Sequence, residues 1–227
     1  MTPSARPLLI FPCNGNGLEA LDCLGDAFRC VGFVDDTPAK QGTRPHGVPV
    51  MSRSAFEEWP EAAVLAVPGS PASYPGRRDV IRGLGLADER FARVVHPAAR
   101  VSPLAVLGRN LLVMAGVVVT SNAVIGSYVC ILPITVIHHD AVIGDWSLIG
   151  SNVTLAGGAV VEDNAYVGSG SSIMNGVRVG RGALVGMGSN VIRSVAAGAT
   201  VAGNPARPLA AGAAARRSGQ PERGDPA

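Results

Sequence analysis

Two adjacent residues, His139 and Asp140, carry the side chains in this sequence that are best suited to acid–base chemistry. Histidine titrates near neutral pH, so its imidazole ring can take a proton from an attacking amine or hydroxyl group. A neighbouring carboxylate can orient that ring or raise its basicity. His138 precedes the pair and offers a second imidazole. The alternative is that each histidine is a solvated residue at a turn.

A second group of candidate residues lies near the N-terminus and suits the binding of a phosphate or a ribose. The loop Asn14-Gly15-Asn16-Gly17 lets a backbone approach a ligand closely, and amide groups at a helix start attract anions. Asp35 and Asp36 can accept hydrogen bonds from a base or a ribose. A tight structural turn and a solvated strand end are the respective alternatives.

The elements around this second group predict a small α/β region with a parallel sheet. Residues 8–11, 30–34 and 63–67 read as buried strands, and residues 18–24 and 77–84 read as helices. Ligands of such sheets bind beyond the carboxyl ends of the strands. That edge carries the glycine loop, the Asp35-Asp36 pair, and Gly69 with Ser70.

The elements around His139 follow a different rule, a strict period of six residues. Small or β-branched residues recur four places after many of the aliphatic positions, as at Ala123, Ala141 and Ala159. The aliphatic positions are Val101, Leu107, Val113, Val119, Ile125, Ile131, Ile137, Ile143, Ile149, Leu155, Val161, Val167, Ile173, Val179, Val185 and Val191.

A period of six excludes a helix, because 3.6 residues per turn would rotate the aliphatic stripe off one face. It fits a parallel β-helix of triangular coils, with three hexads in each coil and the aliphatic residue pointing inward. A chance pattern in a valine-rich chain is the alternative. One coil then spans eighteen residues, which places Gly157 directly above His139.

The amino-acid composition argues against several classes of function. The chain has 227 residues, a formal net charge of +2 and only 4% aromatic residues, which argues against a nucleic-acid-binding surface. No apolar run is long enough for a membrane span, and the start does not read as a signal peptide. The four cysteines have no metal-ligand spacing, so we expect no metal, and reduced thiols favour a cytoplasmic protein.

The unbroken repeat resembles that of the hexapeptide acyltransferases. The segment Val201-Ala202-Gly203-Asn204-Pro205-Ala206-Arg207 matches the signature that closes their domains. The resemblance implies a left-handed β-helix, a homotrimer and acetyl-CoA as the co-substrate.

The two halves together resemble a narrower group, the sialic-acid O-acetyltransferase-like family, whose bacterial members include N-acetyltransferases of nucleotide-linked amino sugars. Residues 32–36 (GFVDD) and 47–50 (GVPV) match its N-terminal motifs. Leu18 stands where the family usually has histidine. The resemblance implies a Rossmann-like nucleotide-sugar-binding domain at residues 1–100, a left-handed β-helix at 101–207 and a flexible tail at 208–227.

The resemblance also implies roles for individual residues. His139 matches the general base, Asp140 its acidic companion, and Gly157 the residue whose N–H meets the acyl carbonyl oxygen. His138 falls at a variable position, and Leu148 stands where some members carry a second histidine. We expect the coenzyme A groove to involve Gly157, Gly158, Gly168, Ser169, Gly186, Gly203, Asn204, Pro205 and Arg207, with Arg193 as a further phosphate candidate. We expect the nucleotide sugar to meet Asn14, Gly15, Asn16, Gly17, Asp35, Asp36, Gly69 and Ser70.

The function predicted from these observations is acetyl-CoA-dependent N-acetylation of a nucleotide-linked amino sugar in bacterial surface-glycan synthesis. Two alternatives remain open at this point. One is O-acetylation of a sugar hydroxyl, as on a sialic acid. The other is a β-helix that binds a nucleotide sugar without catalysis.

Overall fold

A computed structural model describes residues 5–209. Its N-terminal part is a four-stranded parallel sheet in the order β3-β2-β1-β4, which confirms the predicted parallel α/β region. Apolar strand residues such as Leu8, Ile10 and Leu65 are completely buried in it. The elements are β1 Arg6–Phe11, α1 Gly15–Glu19, β2 Phe28–Val34, β3 Val50–Met51, α2 Ala55–Glu58, β4 Ala63–Ala66 and α3 Arg77–Arg82.

The helix predicted at residues 18–24 differs from what is observed. Helix α1 begins earlier, because the side chain of Asn14 caps the Gly17 N–H at 2.8 Å. The chain then tightens into a 3-10 turn over Ala20–Cys23. Helix α3 ends at Arg82, two residues before the predicted end, where Gly83 follows.

The remaining strands stack into a parallel β-helix with three faces. Face 1 contains β5 Arg93–Val95, β8 Leu111–Val113, β11 Cys130–Ile131, β14 Leu148–Ile149, β17 Tyr166–Val167, β20 Leu184–Val185, β22 Thr200–Ala202 and the antiparallel β23 Arg207–Pro208. Face 2 contains β6 Arg100–Val101, β9 Val118–Val119, β12 Val136–Ile137, β15 Thr154–Leu155, β18 Ser172–Ile173 and β21 Asn190–Val191. Face 3 contains β7 Val106–Leu107, β10 Val124–Ile125, β13 Val142–Ile143, β16 Val160–Val161 and β19 Arg178–Val179.

The core of this β-helix is built from the predicted aliphatic register. From Val113 to Val191, all fourteen of the predicted inward positions are at most 2% exposed, while Val101 and Leu107 in the first coil are only partly buried. Strands pair with strands eighteen residues away, as Ile137 does with Val119 and Leu155. The predicted coil of three hexads is therefore confirmed.

Polar residues at the buried corner positions are satisfied by the coils on either side. Thr135, for example, donates its hydroxyl to Gly150 O at 2.8 Å and accepts from Val153 N at 3.1 Å. Ser147 makes the corresponding pair of bonds. A hydroxyl buried without partners would cost about 1–3 kcal/mol, so these bonds let small polar residues take the place of alanine.

The N-terminal sheet packs against face 1. Outward residues of that face, among them Leu112, Cys130 and Leu148, share one apolar cluster with Val67 and Tyr74. The predicted division into residues 1–100, 101–207 and 208–227 stays a prediction. Residues 210–227 lie outside the described part of the chain.

A buried arginine ties the two parts together. Arg77, from α3, donates Nε–H to Pro68 O at 2.8 Å and an Nη1 hydrogen to the carbonyl oxygen of Tyr128 in the β-helix. It is 1% exposed, and burial lowers its pKa to about 10.

Among residues 5–209, no helix has the length and apolar character that crossing a membrane requires.

Candidate active site

The pair His139 and Asp140 lies at the corner between faces 2 and 3, directly after strand β12. The imidazole Nδ1 is 2.7 Å from Asp140 Oδ2, so the carboxylate that follows His139 in the sequence also contacts its ring. Both side chains are largely exposed, at 63% and 57%. Asp140 has a backbone φ of 60°, in the left-handed region that the turn at this corner uses.

The hydrogen bond to Asp140 defines which ring nitrogen is free to act as a base. The bond with His139, and after it a bond from Asn122, hold the pKa of Asp140 below its usual value. An ionised carboxylate can only accept, so Nδ1 carries the proton and Nε2 of a neutral ring keeps its lone pair. His139 is therefore arranged to accept a proton at Nε2.

Gly157 lies against that free nitrogen, one coil further along. A Cβ at Gly157 would lie 2.6 Å from both Cε1 and Nε2 of His139, so only glycine leaves room for the ring in this position. We call the surface over Gly157, beside this ring nitrogen, the Gly157 notch. Within residues 5–209 the Gly157 N–H has no hydrogen-bond partner, whereas the Gly158 N–H is taken by His139 O at 2.9 Å.

Acyl transfer requires a base and a hydrogen-bond donor close together, and this corner offers a ring nitrogen beside an unpaired amide. The N–H can stabilise an oxygen that becomes negatively charged, while Nε2 accepts the proton of the nucleophile. The structure thus brings the three residues predicted as catalytic to one corner. Their chemical roles remain predictions.

Two residues of this corner were missed by the sequence analysis. Asn122, one coil before Asp140, donates Nδ2–H to Asp140 Oδ1 at 3.1 Å. Asn175, one coil after Gly157, has its Nδ2 3.3 Å from the position that a Gly157 Cβ would occupy. Applying the eighteen-residue period in both directions from His139-Asp140 and Gly157 would have found both.

The predicted coenzyme A residues lie at two different corners. Gly157 and Gly158 follow face 2, whereas Gly168, Ser169 and Gly186 follow face 1. Gly168 also has a structural reason to be glycine, because a Cβ there would lie 2.6 Å from the backbone nitrogen of Met187. Beyond them, Gly203, Asn204 and Pro205 follow β22 on face 1, and Arg207 begins β23.

The glycine loop of the N-terminal sheet is shaped by contacts within the protein. Gly17 faces the carbonyl oxygen of Pro12 so closely that a side chain would collide with it. Its N–H is taken by Asn14, so this amide is not free for a phosphate. Asn16 points its Nδ2 towards Val67 O at 3.4 Å, whereas a Cβ on Gly15 would meet open space.

Asp35 and Asp36 differ in environment although they are neighbours. Asp35 is 3% exposed and accepts hydrogen bonds from Cys13 N, Thr37 N and Lys40 Nζ at 2.9–3.0 Å. Burial acts to raise the pKa of Asp35, but the bonds from Thr37 and Lys40 outweigh it and hold the pKa below its usual value. Asp36 is exposed and pairs with both Nε and Nη2 of Arg53 at 2.7 Å.

A pocket of about 200 Å³ lies where the N-terminal region meets face 1. Three of the predicted substrate residues, Asn16, Gly69 and Ser70, line one side of it. The opposite side is mainly apolar and contains Leu132, Leu148, Gly150 and Tyr166.

This pocket and the His139 corner are not brought together within one chain. The pocket opens on face 1, and the corner between faces 2 and 3 is the edge of the triangle opposite to that face. The predicted substrate residues and the predicted base therefore lie on different sides of the β-helix.

Comparison with known sequences and structures gives consistent matches. Residues 122–157 match the family described as bacterial transferase hexapeptide (six repeats). Residues 158–193 match the hexapeptide repeat of succinyl-transferase. No curated protein matches the chain.

Several solved structures match along most of the chain, among them the following three. PerB from Caulobacter crescentus, in complex with CoA and GDP-perosamine, is 26% identical with a TM-score of 0.77, over 90% of this chain and 97% of that one. The acetyltransferase domain of PglB from Neisseria gonorrhoeae FA1090, in complex with acetyl coenzyme A, is 26% identical with a TM-score of 0.78, over 90% and 100%. WeeI from Acinetobacter baumannii AYE is 28% identical with a TM-score of 0.78, over 90% and 100%. All three matches therefore include much of the N-terminal region as well as the β-helix.

Proposed function

We propose that this chain, a hexapeptide-repeat acyltransferase, transfers the acetyl group of acetyl-CoA to the amino group of a nucleotide-linked amino sugar. The resemblance predicted from the repeat and from the N-terminal motifs is confirmed by the family and structure matches. The observation that carries the proposal is the corner where His139 Nε2 lies against Gly157, whose N–H has no hydrogen-bond partner within residues 5–209.

The mechanism follows from the geometry of that corner. His139 Nε2 accepts a proton from the acceptor amine as its nitrogen attacks the thioester carbonyl carbon. The Gly157 N–H donates to the carbonyl oxygen as negative charge develops there. When the carbon–sulfur bond breaks, the imidazolium returns the proton to the leaving thiolate. Asp140, with Asn122 behind it, keeps the ring in the tautomer that this sequence of proton transfers requires.

The substrate side of the proposal uses the N-terminal sheet. We infer that it is a Rossmann-like nucleotide-sugar-binding region, since the order β3-β2-β1-β4 matches the first four strands of a doubly wound sheet. The pocket with Asn16, Gly69 and Ser70 is proposed to hold the sugar, and the matched PerB structure contains GDP-perosamine. Because Asp35 is engaged by Cys13, Thr37 and Lys40, its contribution to this site is to hold the glycine loop in place.

The opposite positions of the pocket and of His139 support a homotrimer. An acceptor held against face 1 of one protomer can reach a base only if a second protomer presents its corner between faces 2 and 3. Exposed apolar residues on these two faces, such as Val106, Val124 and Met174, favour such a contact. Light scattering at micromolar concentration should give three times the monomer mass, and a monomer would contradict this assembly.

The proposed setting is bacterial surface-glycan synthesis in the cytoplasm.

The test of the proposed activity incubates the full chain with acetyl-CoA and, separately, GDP-, UDP- and dTDP-linked amino sugars, with the matching hydroxy sugars as controls. Mass spectrometry should find an amide product from one of the amino sugars, together with an equal amount of free CoA thiol. Acetylation of the hydroxy sugars alone would establish O-acetylation instead. Binding of a sugar nucleotide without any turnover would make the protein a non-catalytic binder.

A further inference from the structure

Asn175 faces the same notch as the predicted base. It stands eighteen residues after Gly157, so its side chain rises from the next coil at the same corner. The point that a Gly157 Cβ would occupy is 2.6 Å from His139 Nε2 and 3.3 Å from Asn175 Nδ2. The two nitrogens therefore flank Gly157 within about 6 Å of each other, close enough for one bound acyl group to contact both.

Asn175 lacks the structural hydrogen bond that residues at equivalent turn positions make. Side chains at the same turn position of other corners accept hydrogen bonds from the coil before them: Ser127 from Arg109 N, and Ser169 from Ser151 N. Asn175 is exposed, and within residues 5–209 its carboxamide makes no hydrogen bond. It does not cap the Gly157 N–H, which stays unpaired.

Two donors that have no partner within residues 5–209 thus lie at one corner, on neighbouring coils. The Gly157 N–H is one, and the carboxamide N–H of Asn175 is the other. Stabilisation of a developing oxyanion commonly uses two converging donors of this kind, one from the backbone and one from an amide side chain. His139 Nε2 is the proton acceptor beside Gly157, so the corner combines a base with a pair of donors.

We propose that Asn175 is a further catalytic residue, which donates a second hydrogen bond to the thioester carbonyl oxygen during acetyl transfer. This inference rests on the proposed function. As the amine nitrogen bonds to the carbonyl carbon, the π electron pair moves onto the oxygen, where Gly157 N and Asn175 Nδ2 meet it. The pair returns when the carbon–sulfur bond breaks, and the thiolate leaves with the proton from His139.

The experiment compares Asn175→Ala and Asn175→Asp with the wild type, using acetyl-CoA and the amino sugar nucleotide that the wild type acetylates among GDP-perosamine and the UDP- and dTDP-linked amino sugars. Loss of one oxyanion donor lowers kcat by about 10²-fold or more. We expect Asn175→Ala to reach that value and Asn175→Asp to fall further, because a carboxylate repels the developing charge. The KM for the acceptor and the Kd for acetyl-CoA by calorimetry should stay within about twofold of the wild type.

The matched control is Arg181→Ala, at the same turn position of the corner between faces 3 and 1. Asn175 precedes Gly176 as Arg181 precedes Gly182, and both glycines have positive φ. The control should keep wild-type kcat, and thermal unfolding should show all variants folded. An unchanged kcat in Asn175→Ala, or a change confined to the acceptor KM, overturns the inference and leaves the proposed function intact. A wild type that acetylates none of these amino sugars overturns both.

Discussion

Replacing Gly157 by alanine tests whether the room at the notch is needed for catalysis. The new methyl group would start 2.6 Å from Cε1 and Nε2 of His139, and ordinary van der Waals contact begins near 3.4 Å. The ring must therefore withdraw by roughly 0.8 Å. A misplacement of about 1 Å at a reacting group can lower the rate by about 10²-fold, so we expect kcat to fall by about that factor.

Folding should survive this change. Gly157 does not have a positive φ, so alanine is compatible with its backbone, and the side chain of His139 is exposed and free to move. A matched control is Gly76→Ala at the start of α3, where φ is −85° and a Cβ meets nothing within 4 Å. That variant should keep full activity.

The assay measures acetyl transfer by thiol release at saturating substrates, with thermal unfolding run in parallel. A Gly157→Ala protein with wild-type kcat would refute the reasoning, because the base would then not use the space over Gly157. A protein that lost its melting transition would show instead that the glycine is needed for folding.

Three further predictions concern the residues around the two sites. Asp140→Asn should lower kcat by less than about 10²-fold, because the carboxamide oxygen can still accept from Nδ1; a loss equal to that of His139→Ala would give the carboxylate a larger role. Asp35→Asn should lower the free energy of unfolding by about 1–3 kcal/mol in urea titrations near pH 7. Since the pKa of Asp35 is lowered on folding from 3.8, this difference is present above about pH 3.8 and should fade as the pH drops through the folded value; a difference that persisted under acid would contradict the ionised pairing. Arg77→Ala should cost about 3 kcal/mol or more, because it leaves Pro68 O and Tyr128 O buried without a donor, and an unchanged urea midpoint would contradict that account.

The register of the β-helix could be predicted because it depends on one repeated physical requirement. Each coil must bury an aliphatic residue on every face, so Ile137, Leu155 and their equivalents repeat without interruption. The same eighteen-residue period placed Gly157 over His139. It would also have placed Asn122 and Asn175 at this corner had it been applied to polar residues.

The N-terminal region was less predictable because its contacts depend on distant parts of the chain. The side chain of Asp35 is buried because it accepts hydrogen bonds from the amide of Cys13 and the ammonium group of Lys40. No local sequence pattern reveals these contacts. The sequence does indicate which face of the β-helix this region covers. From β8 to β20 the outward positions of face 1 are apolar, whereas those of face 2 include Thr154, Ser172 and Asn190. The apolar outward residues are Leu112, Cys130, Leu148, Tyr166 and Leu184.

The central claim is that His139 is the base of an acetyl transfer, and a comparison of the two adjacent histidines tests it most directly. We would measure kcat for His139→Ala and His138→Ala with acetyl-CoA and the accepted amino sugar nucleotide. His139→Ala should lose about 10²–10⁴-fold, the usual range for general-base assistance, while its Kd for acetyl-CoA changes little. His138→Ala should keep wild-type turnover, since only the ring of His139 lies against Gly157. Loss of activity in His138→Ala with retention in His139→Ala would contradict the account.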